Sequence, residues 1–255
     1  MTTPAPDTAP TAALLIIGNE ILSGRTQDAN LAFIAKYLGG IGVRFREARV
    51  VPDVEGEIVA AVNALRARYT YVFTTGGIGP THDDITAESI AKAFGVPLIQ
   101  HPEAKRRLVE HYKGTDLLNA ARLRMANTPE GAVLIDNPVS SAPGFQIGNV
   151  FVMAGVPMIM QAMLTGLGDR LVGGPAIQTR TVLCAIPEGT LAAGLTEIQA
   201  DFPEIDIGSY PAFRQGRVST SLVLRGTDTA MLEIATDRVV ELIVDQGGTA
   251  EVTAG

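Results

Sequence analysis

Between Thr74 and Thr86 the chain reads TTGGIGPTHDDIT, and little else in it restricts the fold as strongly. Upstream, Tyr69 to Phe73 is a short β-branched and aromatic run, the mark of a buried strand. Downstream, Asp84 to Ala91 reads as the opening of a helix, acidic at its start and apolar at Ile85, Ile90 and Phe94. A strand that ends in glycines and opens a helix is a place for an anion. Gly76, Gly77 and Gly79 have no Cβ, so backbone N–H groups can approach a phosphate, and the helix start adds partial positive charge. Asp83 and Asp84 lie in the same turn, where bare carboxylates would repel that phosphate. A divalent cation bridging the two resolves the conflict. Two plainer readings stand beside this one: a TGG turn is also an ordinary tight βα connection, and an Asp near a helix start is also an ordinary cap. The string matches neither the Walker A spacing nor G-x-G-x-x-G.

The same order occurs earlier in the chain. Thr11 to Gly18 (TAALLIIG) is an apolar run ending in glycine and reads as a central parallel strand. The turn from Gly18 through Asn19 and Glu20 to Gly24 puts polar groups at its C-terminal end, where ligands gather in open α/β sheets. Asp28 then caps a helix with Leu31, Ile34, Ala35 and Leu38 on one face, closed by Gly39-Gly40. Val43 to Val51 is the next strand, and Pro52-Asp53 leads into a helix with Ile58, Val62 and Leu65 inward. At Asp53 a helix cap and a catalytic carboxylate are equally open. Repeated strand, polar turn and helix give βαβα order, hence a mostly parallel sheet with right-handed crossovers.

His101 to Met125 reads as helical, with Lys105, Arg106, Arg107, Lys113, Arg122 and Arg124 on a polar face; such charges are usually solvated, though a covering segment would bring some to a phosphate. Strands follow at Ala132 to Asp136 and Gln146 to Met153. Between them Asn137 to Gly144, with Ser140, Ser141 and two prolines, is stiff enough to hold donors toward a ligand. Gly155-Val156-Pro157 starts a helix. Gly166 to Pro175 is glycine-rich and breaks the periodicity, which marks a domain boundary. Beyond it come a strand (Thr179 to Ile186), a helix (Thr190 to Asp201), two strands (Ile205 to Tyr210 and Arg217 to Leu224) and a helix carrying Met231, Ala235, Val239 and Leu242. This β-α-β-β-α unit is expected to set its helices on one face of a small mixed sheet.

Composition narrows the function. Of 255 residues 46% are hydrophobic and 18% charged, a globular balance with ample core, and no apolar run approaches the roughly 20 residues of a membrane span. Residues 1 to 10, MTTPAPDTAP, are expected to be a disordered tail and not a secretory signal. The single Cys184 lies in an apolar strand pattern, as a buried thiol of a cytoplasmic protein would. The net charge of −7 has the wrong sign for a general nucleic-acid binder. From Asp169 onward 12 acidic residues face 6 basic ones, and no G-x-x-G clamp follows Gly174, so RNA or single-stranded DNA binding by the second domain is not expected.

Read in order, GNEILSG, VVPD, TTGGIGPTHDD, NPVSSAPGF and the GVP turn resemble the MoaB/Mog molybdopterin-binding domain family over the first 168 or so residues, in the version at the N-terminus of CinA proteins. Residues 175 to 250, including Tyr210-Pro211, resemble less specifically the KH-like middle domain of CinA; the resemblance does not extend to a deamidase domain. It implies a three-layer α/β/α domain at residues 11–168 with a mostly parallel sheet, and a smaller α+β domain at 175–255. It also implies a pterin or adenine dinucleotide diphosphate as ligand. Gly18, Asn19 and Glu20 fall on the family's first turn, Thr75, Gly76, Gly77 and Gly79 on its phosphate loop, and Ser140, Ser141 and Gly144 on its later ligand loop. The two aspartates of the adenylyltransferase branch fall on Asp53 and Asp84, with Asp83 beside the latter as a metal ligand. CinA-type and FAD-synthase-associated versions imply metal-dependent hydrolysis of ADP-ribose or FAD, with a divalent ion (Mg, Mn or Co class) and potassium. The sheet edge and apolar helix stripe of the second domain lead to the separate expectation of a homo-oligomer or a contact with its partner domain. The alternative is a pterin or nucleotide binding module without turnover. One departure is Met153-Ala154-Gly155-Val156-Pro157, where the family usually reads Leu-Pro-Gly-x-Pro.

Overall fold

Every residue from Ala12 to Ile17 is buried, the pattern of a strand covered on both faces. The computed structural model describes residues 9–113, 117–214 and 217–254, without the side chains of 212–218; residues 1–8 of the expected tail lie outside the described residues. Two units divide the chain at Gly174 and Pro175.

In the first unit β1 (Thr11–Ile17) leads through α1 (Asn19–Leu22) to α2 (Asn30–Gly40), β2 (Arg44–Val51), α3 (Glu55–Arg66), β3 (Tyr71–Thr75) and α4 (Thr86–Phe94). A two-stranded ribbon, β4 (Leu98–Gln100) and β5 (Asn127–Pro129), brackets α5 (Pro102–Tyr112) and α6 (Ala120–Leu123). Then come β6 (Val133–Ile135), β7 (Gly144–Ile147), β8 (Val150–Met153) and α7 (Pro157–Thr165). The six-stranded sheet runs β2-β1-β3-β8-β7-β6, parallel as far as β8 and antiparallel beyond it. On one face Leu14, Phe73 and Phe151 pack with α2 and α7 through Ile34, Leu38 and Met160. On the other, Leu15, Val72 and Phe145 pack with α3 and α4 through Ile58, Val62 and Ile90. The result is the three-layer α/β/α arrangement, and all four parallel strands deliver their C-terminal ends to one edge.

Two expectations are corrected here. The helix expected over His101–Met125 stops at Tyr112, because Lys113 takes a left-handed conformation (φ 48°). A separate short helix starts after Asn119, whose side chain accepts the Arg122 N–H at 3.0 Å. The strand expected over Gln146–Met153 is a hairpin, turned at Gly148 (φ 54°).

The second unit contains β9 (Gln178–Cys184), α8 (Glu188–Asp201), β10 (Asp206–Arg214), β11 (Arg217–Gly226), α9 (Thr229–Asp245) and β12 (Ala250–Ala254). Its sheet, β10-β11-β9-β12, is antiparallel at every pairing and not mixed as expected. The strand β12 was not anticipated: it is an edge strand with four exposed residues, so no apolar alternation announces it. Val182, Leu222 and Leu224 meet α8 and α9 in one core, and Cys184 is a buried free thiol there. No helix among the described residues is long and apolar enough to cross a membrane.

Candidate functional site

The site is built where β1, β2, β3 and β8 end. At the first turn the Gly18 N–H donates to Val51 O at 3.2 Å, which seals the end of β1 against β2. The next amide, Asn19 N–H, donates to Asp53 Oδ2 at 2.9 Å. Asp53 therefore does not cap α3, whose N-cap position is Val54 with no side-chain bond. Its carboxylate is held across the strand ends instead, beside the first turn. Glu20 folds back over Gly18, so close that a Cβ added there would lie 2.5 Å from its carboxylate oxygens.

The glycine turn is fixed from behind by Thr86, which is fully buried. Thr86 Oγ1 donates to Gly76 O and its N–H to Gly77 O, both at 3.0 Å. Both glycines have positive φ (102° and 67°), and a Cβ would fall 2.1 Å from Ile17 O at Gly76 and 2.2 Å from Thr86 Oγ1 at Gly77. Only glycine satisfies the backbone and the packing together. The Gly76 N–H is used by the sheet, donating to Met153 O at 3.3 Å. The N–H groups of Gly77, Ile78 and Gly79 have no hydrogen-bond partner among the described residues, which leaves three amides for an anion.

Asp83 and Asp84 sit just before α4. Asp84 Oδ2 accepts the Thr81 N–H at 2.7 Å and the Thr81 hydroxyl at 2.5 Å, and it stands over Gly79, where an added Cβ would be 2.7 Å away. Asp83 is exposed; the nearby Thr81 hydroxyl and its own backbone N–H hold its carboxyl below the usual range, with the neighbouring His82 adding to the effect. Arg124 clamps this turn, donating to Thr81 O at 3.1 Å and Asp84 O at 3.5 Å. The other basic residues of that segment behave differently: Arg106 and Arg107 are engaged by Glu103, Glu110 and Asp136.

Two hollows flank the glycine turn. One, of about 20 Å³, is lined by Gly77, Gly79, Asp84, Arg124, Asn127 and Phe145. The other, of about 70 Å³, is lined by Glu20, Thr26, Asp28, Asn30, Thr75 and Gly76 among others. The later loop has hydrogen-bond partners of its own. Asn137 Nδ2 donates to Ser140 Oγ at 2.7 Å, Ser141 Oγ lies 3.1 Å from His111 Nδ1, and Gly144 packs on Val152 O in the sheet. Pro143, not Ser140 or Ser141, reaches the smaller hollow.

Sequence reasoning overlooked Asn30 and Thr86. Asn30 had a signal: it occupies the buried stripe of α2 with Ile34 and Leu38, a polar residue where the helical period asks for an apolar one. Among the described residues no three His, Cys, Asp or Glu side chains gather as a ready-made metal cage.

A model described as probable molybdopterin binding domain matches residues 13–172, and one described as FAD synthase, middle domain, matches residues 176–249. A protein of Pyrobaculum calidifontis is 36% identical over 212 residues, covering 79% of this chain and 81% of its own. A CinA-like protein of Desulfosudis oleivorans is 36% identical over 210 residues (77% of this chain, 51% of the relative). A probable FAD synthase of Caenorhabditis elegans is 31% identical over 262 residues (91% and 50%). The chain thus spans about half the length of the last two. The crystal structure of the protein CinA from Thermoplasma acidophilum superposes with a TM-score of 0.60 at 37% identity, over 64% of this chain and 98% of that one. With its fold, its strand-end turns and these matches in agreement, the chain belongs to the probable molybdopterin binding domain family, of CinA type, followed by a unit of the FAD synthase middle-domain family.

Proposed function

We propose that the first unit hydrolyses the diphosphate linkage of an adenine dinucleotide of the ADP-ribose or FAD type. The observation that carries this reading is the set of amides at Gly77–Gly79 without a partner among the described residues, beside the Asp84 carboxylate in one hollow, with the Asp53 carboxylate at the same strand-end edge; among the described residues the two carboxylates accept from neutral N–H and O–H donors. The printed name of the probable FAD synthase relative supports an adenine dinucleotide as the ligand class.

A divalent ion of the Mg, Mn or Co class, held by Asp84 with Asp83, would offset the charge of the bridging phosphates and acidify an attacking water. The residues do the rest. The amides from Gly77 to Gly79 donate to phosphate oxygens and take the charge that develops as water adds to phosphorus. Asp53, fixed through Oδ2 by Asn19, keeps its other oxygen for orienting that water. Arg124 and Thr81 hold Asp84 in register. Breakage of the bridging P–O bond gives two monophosphates, one of them AMP.

The test is AMP release from ADP-ribose and FAD by the full chain, with and without each metal and with potassium varied. Asp84→Asn is expected to lower turnover by at least about a hundredfold while the circular dichroism spectrum is unchanged. Metal-independent turnover, or an unaffected variant at saturating metal, would sink the assignment. A second reading, a pterin or nucleotide binding module without turnover, is favoured by the lack of a three-ligand cluster among the described residues. Tight binding with no AMP release under any metal selects it.

A further inference from the structure

Asn30 presents an unanswered acceptor. The residue is only 4% exposed, and its Nδ2 donates to Gly155 O at 2.8 Å, so the amide is pinned with Oδ1 facing away from that bond. Oδ1 has no hydrogen-bond partner, and neither does the buried Thr75 Oγ1. Both residues line the 70 Å³ hollow, together with Glu20 and Asp28. A buried polar atom left without a partner costs free energy until a donor arrives.

The chemistry of that lining selects its guest. Two carboxylates and an amide oxygen are acceptors, and Asp28 Oδ1 already takes the Leu31 N–H at 2.8 Å. A phosphate is repelled there; a neutral group bearing hydrogen-bond donors is attracted. The volume exceeds the roughly 30 Å³ share of one water molecule. Gly76 forms part of this wall and Gly77 part of the other hollow, so a group entering here lies next to whatever lies along the glycine turn.

Resting on the nucleotide reading above, we propose that this hollow receives the 2′,3′-diol of the ribose next to the diphosphate, with Asn30 Oδ1 as the fixed acceptor and Glu20 and Thr75 as its companions. The diol supplies two O–H donors, carries no charge, and lies one linkage from the phosphate. Specificity for a ribonucleotide then comes from a buried acceptor that a deoxy sugar leaves unsatisfied.

The experiment is calorimetric titration of the full chain, without divalent metal, with ADP, 2′-deoxy-ADP, 3′-deoxy-ADP and 2′,3′-dideoxy-ADP. Loss of both hydroxyls is expected to weaken binding about tenfold or more. In Asn30→Ala the gap between ADP and its dideoxy analogue should narrow to less than about threefold, because the acceptor that reads the diol is gone. Thr75→Val, which keeps the side-chain shape, narrows the same gap and carries the test if Asn30→Ala fails to fold. Equal affinity for ADP and dideoxy-ADP in the unaltered chain overturns the assignment while leaving the nucleotide reading standing, and so does a gap that persists unchanged in both variants. Failure of both ADP and ADP-ribose to bind when the titration is repeated at saturating divalent metal removes the nucleotide reading, and this inference with it.

Discussion

Leu14 and Leu15 are neighbours in β1 and both are fully buried, one in the core under α2 and α7, the other in the core under α3 and α4. Leu222 and Val223 are neighbours in β11 and differ: Leu222 is fully buried beneath α8 and α9, while Val223 is half-buried on the other side of the sheet. A strand with apolar neighbours on both faces has no room for polar chemistry along its length, so that chemistry is displaced to its end. That is where Asn19, Asp53 and Gly77 lie. The contrast can be broken by truncation. Leu14→Ala, Leu15→Ala and Leu222→Ala should each cost about 2–5 kcal/mol, and Val223→Ala below about 1 kcal/mol, by denaturant unfolding of the full chain. A mild Leu15→Ala, or a Val223→Ala as costly as Leu222→Ala, would undo it.

Glycines sharpen the same comparison. Gly77 in the first unit and Gly247 in the second have similar left-handed φ, 67° and 76°. Around Gly247 an added Cβ meets nothing within 4 Å, whereas at Gly77 it meets Thr86 Oγ1 at 2.2 Å. Gly247→Ala should therefore carry the left-handed cost alone, about 1–2 kcal/mol. Gly77→Ala adds at least about 1 kcal/mol of overpacking, because Thr86 is itself bonded to the turn and cannot yield. Equal unfolding costs would show that the turn rearranges freely.

Two aspartates next to helices give the third test. Asp228 caps α9, accepting the Met231 N–H at 3.1 Å. Asp53 precedes α3 in a similar position but accepts from Asn19 instead. Asp228→Ala is expected to cost about 1 kcal/mol without changing AMP release. Asp53→Ala should cost less stability than that and abolish AMP release. Reversed outcomes would make Asp53 the structural residue.

These pairs also explain what could be read from the sequence. The continuous apolar run at Thr11–Ile17 and the alternation around Leu222 and Leu224 reflect one-face or two-face burial, which is written in the chain itself. The strand-turn-helix rhythm followed from them, and with it the edge where ligands gather. Asp53 was ambiguous because its partner lies 34 residues away, and capping is decided by a backbone that a local pattern does not fix. The interruption after Tyr112 depends on one left-handed residue, Lys113, whose type carries no turn signal. For Ser140 and Ser141 the residue type announces a hydroxyl but not its neighbours: Asn137 Nδ2 donates to Ser140 Oγ, and Ser141 Oγ lies 3.1 Å from His111 Nδ1.

The smallest expected effect separates a carboxylate that cations hold from carboxylates bonded by neutral donors. On the surface of α5, Glu103 accepts from Arg106 Nη2 and Nε, both at 2.7 Å, and from Arg107 Nε at 2.9 Å. The Arg106 bonds first, and then the Arg107 bond, pull its carboxyl from 4.5 down to about 2. Asp53 and Asp84, by contrast, accept among the described residues from neutral N–H and hydroxyl groups. A group whose pKa is depressed on folding binds its proton more readily in the unfolded chain, so the stability it lends is complete above pH 4.5 and disappears as the pH falls toward 2. Glu103→Gln removes that contribution. The melting midpoint of the unaltered chain should thus exceed that of the variant near neutral pH, by a small margin because the pair is exposed and screened. The two curves should converge between pH 4.5 and about 2. A difference that stays constant across that window would mean that Glu103 contributes through packing on Arg106 and Arg107, and not through its charge.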